Sequence, residues 1–538
     1  MSSEAVGIVV AAVVLLMAFG TVVAAGLPLL IALFGVAVAV LLGSVLAAAI
    51  DTPDWSLQMS LMIGIGVGID YALLILTRYR GERHLGRSPR AANVEAMGTA
   101  GRSVLTAGAT VVIALMGLFL MRLPYLNGVA LAASLSVLVV MAAAVTLLPA
   151  LVGFAGPRID RLQLARFGLP PAAPDTLPGA RWSRLVTGHP VVAIGTSLLL
   201  IAVLASPLTG IRFGLPDAGN DTAGSTTRQA YDLVAEGFGP GANGPLIAVA
   251  ATRGAADRDA VRRLAAVVRR DREVASVSPP QYDAARDTAL VVITPRRSPD
   301  SAATKRLVDR LRDGPLARAG VHVDLGGRTA ASVDQGSVTT RRLPLFIGAV
   351  LALSFLLLLA AFRAPVIAAK AGVMNVLSIA AAYGVVALVA EGGWAGRLVG
   401  IDSDVPVPPF IPVIMFSVLF GLSMDYEVFL VSRIREERER LGDATAGVIT
   451  GVARTAKVIM AAAAIMVAVF GAFALSPDII LKLIGLGLAT AILVDATLVR
   501  MLLVPAIMRL LGERAWWTPR ILDRAPPRPE REAARVAA

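Results

Sequence analysis

The chain has 538 residues, of which 56% are hydrophobic and only 16% charged. That balance leaves too little charge to wet the surface of a water-soluble fold and points to lipid as the solvent. The absence of cysteine excludes disulfides and thiolate metal sites. The net charge of +12 does not signal nucleic acid, because the Arg residues lie mostly between apolar stretches, where they orient a membrane protein.

Runs of roughly 18 or more apolar residues recur, each long enough to cross a bilayer as a helix. Eleven such spans are expected, at 5–23, 27–50, 57–76, 103–120, 125–154, 190–207, 343–362, 365–390, 409–431, 458–475 and 481–510. Glu4 precedes the first run with no basic residue, a pattern unlike a signal peptide. Arg78, Arg80, Arg83, Arg87, Arg90 and Arg102 lie between the third and fourth spans, and Arg433, Arg435, Arg438, Arg440 and Arg454 follow the ninth. The alternate connections carry Asp51, Asp54, Asp402, Asp404 and Asp478 instead. Positive-inside logic then places the protein in the cytoplasmic (inner) membrane with its N-terminus outside and its C-terminus in the cytoplasm.

Between the spans the chain divides as follows. Residues 1–154 form a first bundle of five spans, 155–189 a proline-rich cytoplasmic linker, and 190–208 a lead helix. Residues 209–342 are expected outside the membrane as an α+β domain. Helical spacing at 226–238, 255–271 and 301–318 alternates there with strand-like runs at 245–252, 289–294 and 321–325. A second five-span bundle fills 343–511, and the charged, proline-bearing tail at 512–538 is expected to be disordered.

The most specific signal is an internal repeat. GVGIDYALLILTRYRGER begins at Gly66 and GLSMDYEVFLVSRIREER at Gly421, so Asp70 matches Asp425, Tyr71 matches Tyr426, and Arg78 matches Arg433. Six spans separate the copies, so both cross in the same direction, as a parallel repeat about an axis along the membrane normal. The second copy has a lead helix and a soluble domain, and the first has neither within this chain. A matching helix and domain are therefore expected ahead of Met1, and the 538-residue form is expected not to transport alone.

Asp70 and Asp425 sit within apolar helices, where an aspartate costs roughly 2.5–3.5 kcal/mol on insertion scales. The bland reading is a structural hydrogen bond between helices. Recurrence at matched positions favours function: a proton relay of Asp70, Tyr71, Asp425 and Tyr426, the tyrosines offering hydroxyls to the carboxylates. If the halves pack face to face the two acids approach each other, and desolvation and like charge both act on their charge state. Glu427 and Asp495 are expected to give polar support inside the membrane; Glu427 has only Ala72 at its repeat position. Lys370, in the eighth span with Asn375, either snorkels to the interface or joins a polar site. Gly64, Gly66 and Gly68 read as close helix packing. His84, His189 and His322 lack metal-ligand spacing, and no phosphate-binding glycine loop supports ATP drive. No metal, no cofactor and no enzymatic residue is expected, with a proton gradient as the energy source.

GIGVGIDYALLILTRYR and GLSMDYEVFLVSRIREER resemble the paired signatures of the MMPL family, the large mycobacterial-type membrane proteins of the resistance-nodulation-division superfamily. LVDATLVRMLLVPAIMRLLG at 493–512 resembles that family's final span, and GFGPGANGPLIAVA at 237–250 the start of its second porter domain. The resemblance covers nearly the whole chain. It implies a polytopic helical transporter with a porter domain, exporting lipids or other hydrophobic or amphipathic molecules against protons, with Asp70, Tyr71, Asp425 and Tyr426 at the family's relay positions. Family members normally carry twelve spans and two porter domains, so this chain departs at its start. The rival reading is a non-transporting membrane scaffold for envelope-lipid synthesis, or an inactive fragment. Expected partners are a hydrophobic or lipid substrate and membrane lipids, with no nucleic acid; a homo-oligomer and envelope-synthesis partners stay open.

The topology is checked by single cysteines in this cysteine-free chain. A membrane-impermeant thiol reagent should label position Ser301 and spare Ser88 in intact cells; the reverse pattern overturns the orientation.

Overall fold

The computed structural model describes residues 3–53, 55–160, 178–221, 224–285 and 287–519. Residues 161–177 of the expected linker at 155–189 lie outside the described residues, as does the expected disordered tail beyond residue 519.

The first half contains α1 (Ser3–Phe19), α2 (Val22–Ala47), α3 (Trp55–His84), α4 (Pro89–Ala96), α5 (Arg102–Met116) and α6 (Pro124–Ala155). After α7 (Pro178–Gly188) and α8 (Pro190–Ala205) comes a soluble region. It holds α9 (Thr226–Phe238), β1 (Leu246–Ala251), α10 (Ala255–Val268), β2 (Val274–Val277), β3 (Gln281–Tyr282), β4 (Thr288–Pro295), α11 (Ala302–Leu311) and β5 (Val323–Gly326). The chain then runs through α12 (Arg328–Phe362), α13 (Pro365–Ala390), α14 (Trp394–Arg397), α15 (Phe410–Leu441), α16 (Ala444–Ala472), α17 (Ile479–Val494) and α18 (Val504–Leu511). Ten helices among the described residues are long and apolar enough to cross a membrane, and the shorter apolar stretch Ala5–Phe19 precedes them. The protein is thus a multi-pass helical membrane protein.

Several boundaries differ from expectation for identifiable reasons. The first span ends at Phe19 rather than at residue 23, because Gly20 takes φ +69 and breaks the helix before α2 begins. The fourth runs as one rod from Pro89 to Met121, its α4 and α5 segments joined by a π-turn at Met97–Gly101. The seventh does not begin at residue 343. Helix α12 starts at Arg328 inside the soluble region and passes Pro344 without stopping. The stretch expected as pure linker includes α7, pinned by the Trp182 indole N–H donating to the Met501 carbonyl at 2.9 Å. Within the stretch expected as a disordered tail, Gly512–Trp516 form a 3₁₀ turn, where Arg438 pairs with Glu513 and lies 5.3 Å from the Trp516 ring centre.

Helices α3 and α15 form the centre of the bundle. In α3, 94% of the most apolar window is buried, and in α15 83%, against 28% in α2 and 17% in the span that begins with α8. Both are apolar on every side, the pattern of a helix enclosed by others. The halves meet through reciprocal contacts, α3 on α16 and α15 on α5. Repeat-matched glycines allow both approaches: a Cβ on Gly66 would meet Phe470 of α16 at 3.2 Å, and one on Gly421 would meet the Val111 backbone of α5 at 2.7 Å.

The soluble region is a two-layer α+β unit. Its sheet runs β2-β4-β1-β5, antiparallel throughout, with β3 also paired to β4. Alternate residues of β1 and β4 (Leu246, Ala248, Val291, Ile293) face Val261 and Leu264 of α10 and Leu307 and Leu311 of α11. Strand β2 has no counterpart in the sequence reading because a register shift between Val274 and Ser276 breaks its alternation.

Packing around α13 yields a stability test. A side chain at Gly384 would run into the backbone of Leu204 and Ala205 in α8, whereas one at Gly348 of α12 meets open space. Gly384→Leu should cost about 1–3 kcal/mol or more, and Gly348→Leu should stay within about 0.5 kcal/mol. The thermal midpoint by fluorescence-detected size exclusion measures both.

Candidate functional site

Asp70 and Tyr71 lie in α3, and Asp425 and Tyr426 in α15, in the middle of the bundle. Asp70, Tyr71 and Tyr426 are buried, and Asp425 is half-buried. The pairing crosses the repeat. The Tyr426 hydroxyl donates to Oδ1 of Asp70. Tyr71 in turn interacts with the Asp425 carboxyl, although its hydroxyl meets no acceptor in good hydrogen-bond geometry. Neither Asp70 Oδ2 nor Asp425 Oδ2 has a hydrogen-bond partner among the described residues. Each carboxyl therefore keeps an acceptor position open.

A polar network adjoins this core on one side only. Arg500 donates to Asp495 Oδ2 from Nε at 2.9 Å and from Nη2 at 2.6 Å. Its Nη2 also reaches the carbonyl and hydroxyl of Ser423, and the guanidinium lies 5.0 Å from the centre of the Tyr426 ring. The same cation interacts electrostatically with Asp70 and Asp425. The Ser423 oxygen is 2.9 Å from Asp495 Oδ2 and 2.7 Å from Asn375 Oδ1. One hydroxyl hydrogen serves only one acceptor, so exchanging the amide O and N of Asn375 lets it donate to Ser423 while Ser423 donates to Asp495. Below this network Lys370 of α13 and Glu427 of α15, both buried, form an ion pair at 2.7 Å. Lys370 thus does not snorkel, and Glu427 stands against Lys370 rather than against the acid pair.

The sequence reading missed Arg500, and local geometry explains why. In an α-helix, five residues turn the chain through roughly 500°, which leaves Asp495 and Arg500 about 140° apart. Residues Asp495–Leu503 instead form a π-helix, whose wider turn stacks i over i+5. The available signal was an Arg inside an apolar run, as costly there as the Asp before it. It also missed a second repeat-matched acid. Glu82 and Glu437 are both buried at the Arg-rich ends of α3 and α15. Glu82 holds Arg78 at 3.0 Å and Arg87 at 3.1 Å, and Glu437 holds Arg440 at 2.7 Å and Arg454 of α16. These clusters fasten helix ends and lie apart from the acid pair. Gly64, Gly66 and Gly68 face packed neighbours. No group of three or more His, Asp or Glu able to hold a metal occurs among the described residues.

The sequence model of the MMPL family, so described, matches residues 1–193 and 222–532. This chain belongs to the MMPL family. It is 35% identical over 531 residues to membrane protein YdfJ of Bacillus subtilis, covering 98% of this chain and 72% of that protein. It is 33% identical to the mycolic acid-containing lipids exporter MmpL11 of Mycolicibacterium smegmatis, over 96% of this chain and 55% of that protein. The heme uptake protein MmpL11 of Mycobacterium tuberculosis is 34% identical over 95% of this chain, which spans 53% of its length. Among solved structures, a heavy metal efflux pump superposes with a TM-score of 0.60 at 12% identity, over 95% of this chain and 67% of that one. At that identity the likeness concerns the fold alone.

The Lys370–Glu427 pair gives a direct test. Lys370→Met strands a buried carboxylate and should destabilise the protein by about 3–5 kcal/mol, while Lys370→Met combined with Glu427→Leu should recover most of that loss. Thermal midpoints of the single and double variants report it; a double variant as unstable as the single one contradicts the pairing.

Proposed function

We propose that this MMPL protein is a secondary active transporter that moves lipids or other amphipathic molecules outward across the cytoplasmic membrane, driven by protons. The observation that carries the proposal is the hydrogen bond from Tyr426 of the second repeat to Asp70 of the first, with Tyr71 of the first repeat near Asp425 of the second. A carboxylate accepts a tyrosine hydroxyl strongly when ionised and gives up part of that capacity when protonated. Taking up and releasing a proton at the acid pair therefore changes the contact between α3 and α15. Because α3 packs on α16 and α15 on α5, a change at the pair moves one half relative to the other. Each proton crossing supplies about 2.3 kcal/mol per 100 mV of membrane potential. Arg500, shared among Asp495, Ser423 and the Tyr426 ring, holds a fixed positive charge beside the exchanging site.

In this reading the Arg-rich ends of α3 and α15 face the cytoplasm and the soluble unit lies outside. The relative named as a lipid exporter supports a lipid cargo. The relative named as a heme uptake protein makes inward movement the rival direction.

Asp70→Asn and Asp425→Asn should each abolish proton-coupled transport while leaving membrane insertion and expression unchanged, since Asn keeps the size and hydrogen bonding of Asp but cannot change charge. Lipid movement in vesicles under an imposed proton gradient is the measurement, read in both directions. Transport at the wild-type rate by a well-expressed Asn variant would sink the relay.

A further inference from the structure

Two connected cavities on the soluble-domain side of the first bundle lie away from the acid pair. One, of about 180 Å³, is a groove between α2, α3 and α6 lined by small residues, among them Gly43, Ala47, Ser56, Ser60, Ala132 and Ser136. Three of its serine hydroxyls donate to backbone carbonyls: Ser44 to Val40 at 2.9 Å, Ser60 to Ser56 at 2.8 Å and Ser136 to Ser60 at 3.0 Å. The wall is therefore mostly apolar. Its inner end closes where Gly64 meets Val36 and Ser136 so tightly that a Cβ would stand 2.5 Å from the Ser136 hydroxyl and 2.8 Å from Val36. That seal separates the groove from Asp70, six residues further along α3.

The other cavity, of about 490 Å³, shares Ala47, Thr52 and Pro53 with the groove and opens beside the soluble unit. It is an aromatic cup. Trp55 stacks on Phe410 at 5.1 Å between ring centres, and Tyr125 meets Phe410 edge-on at 5.7 Å. Gln335 of α12 donates to the Tyr125 hydroxyl, which leaves the Gln335 Oε1 buried without a donor. Asp51 is the one charged residue lining either cavity among the described residues. The cup thus presents a carboxylate and aromatic rings, with no lysine or arginine on its wall among the described residues.

A largely apolar slot opening into an acidic aromatic cup matches a ligand with a hydrocarbon tail and a cationic head. Aromatic faces and a carboxylate together attract ammonium groups and repel anions. The geometry points to a binding site for a single-chain amphiphile with a positively charged head, its tail in the α2–α3–α6 groove and its head in the cup with Asp51. This deepens the transport reading by naming where cargo is held, and it rests on that reading only for its purpose; the binding itself needs no proton gradient.

The test uses the full chain in lipid nanodiscs and three dodecyl probes, brominated on the tail, with trimethylammonium, maltose or sulfate heads. Quenching of Trp55 is isolated as the difference between the wild type and Trp55→Phe. The ammonium probe should quench at concentrations about tenfold lower than the sulfate probe, and Asp51→Asn should bring the two together while keeping the maltoside response. Gly43→Leu, whose side chain enters open space, should fill the groove and abolish quenching by all three. Equal quenching by the three heads in the wild type, or quenching that survives Gly43→Leu in a monodisperse protein, overturns the site. Asp51 lies in the connection between α2 and α3, so its variant keeps the test decisive even if Gly43→Leu fails to assemble. Because no gradient is applied, failure here leaves the relay untouched, and failure of the Asn variants to block transport leaves this result standing.

Discussion

An ionisable carboxyl inside an apolar helix is tolerated only where protein, rather than lipid, surrounds it, since each such group costs roughly 2.5–3.5 kcal/mol on insertion scales. Asp70 and Asp425 impose that condition on α3 and α15, and the rest of the bundle follows from it. These two helices are enclosed nearly all round, while helices such as α2 leave most of their surface for lipid. Enclosing both acids in one place requires the halves to meet face to face. The glycines at Gly66 and Gly421 allow the close approach of α3 to α16 and of α15 to α5 that brings this about. The contact of Tyr426 with Asp70 is then a product of the interface: the first half's carboxyl finds its phenol on the other half.

The two halves are symmetric in backbone and asymmetric in charge. Beside Asp425 the second half adds Ser423, Glu427, Asp495 and Arg500. At the repeat positions of Ser423 and Glu427 the first half has Gly68 and Ala72, and α6 offers the wholly apolar run 140–145 where the last span offers its acid and arginine. The first half consequently packs tightly, with Gly68 against Val140 and Ala32. The second holds a hydrogen-bonded network that positions one cation against Tyr426. A site built this way is charged from one side, so the two acids are not equivalent even though their helices are. The groove of the first half lies elsewhere, beyond the seal at Gly64 on the soluble-domain side of α2, α3 and α6.

Much of this was legible in the chain alone. Apolar runs of spanning length determined the membrane fold, because hydrocarbon admits only segments that satisfy their own backbone. The matched Asp-Tyr strings at Asp70 and Asp425 marked the costly residues and their common direction through the membrane. Periodicity also marked the neighbourhoods of β1 and β4, since both strands alternate buried with less buried residues. What only tertiary structure decided was who faces whom. The crossed contact of Tyr426 with Asp70 joins residues 356 apart, and no local pattern encodes such a distance. Lys370 became half of a buried pair because α13 lies against α15, a choice invisible from the hydropathy of its own span. Arg500 reached Asp495 only because the last span widens into a π-helix, and the two residues share a face under that winding and not under the α-helical one. Sequence periodicity assumes a winding, and burial assumes neighbours; where the fold changes the first or supplies the second, the charged contacts of the site are settled by packing.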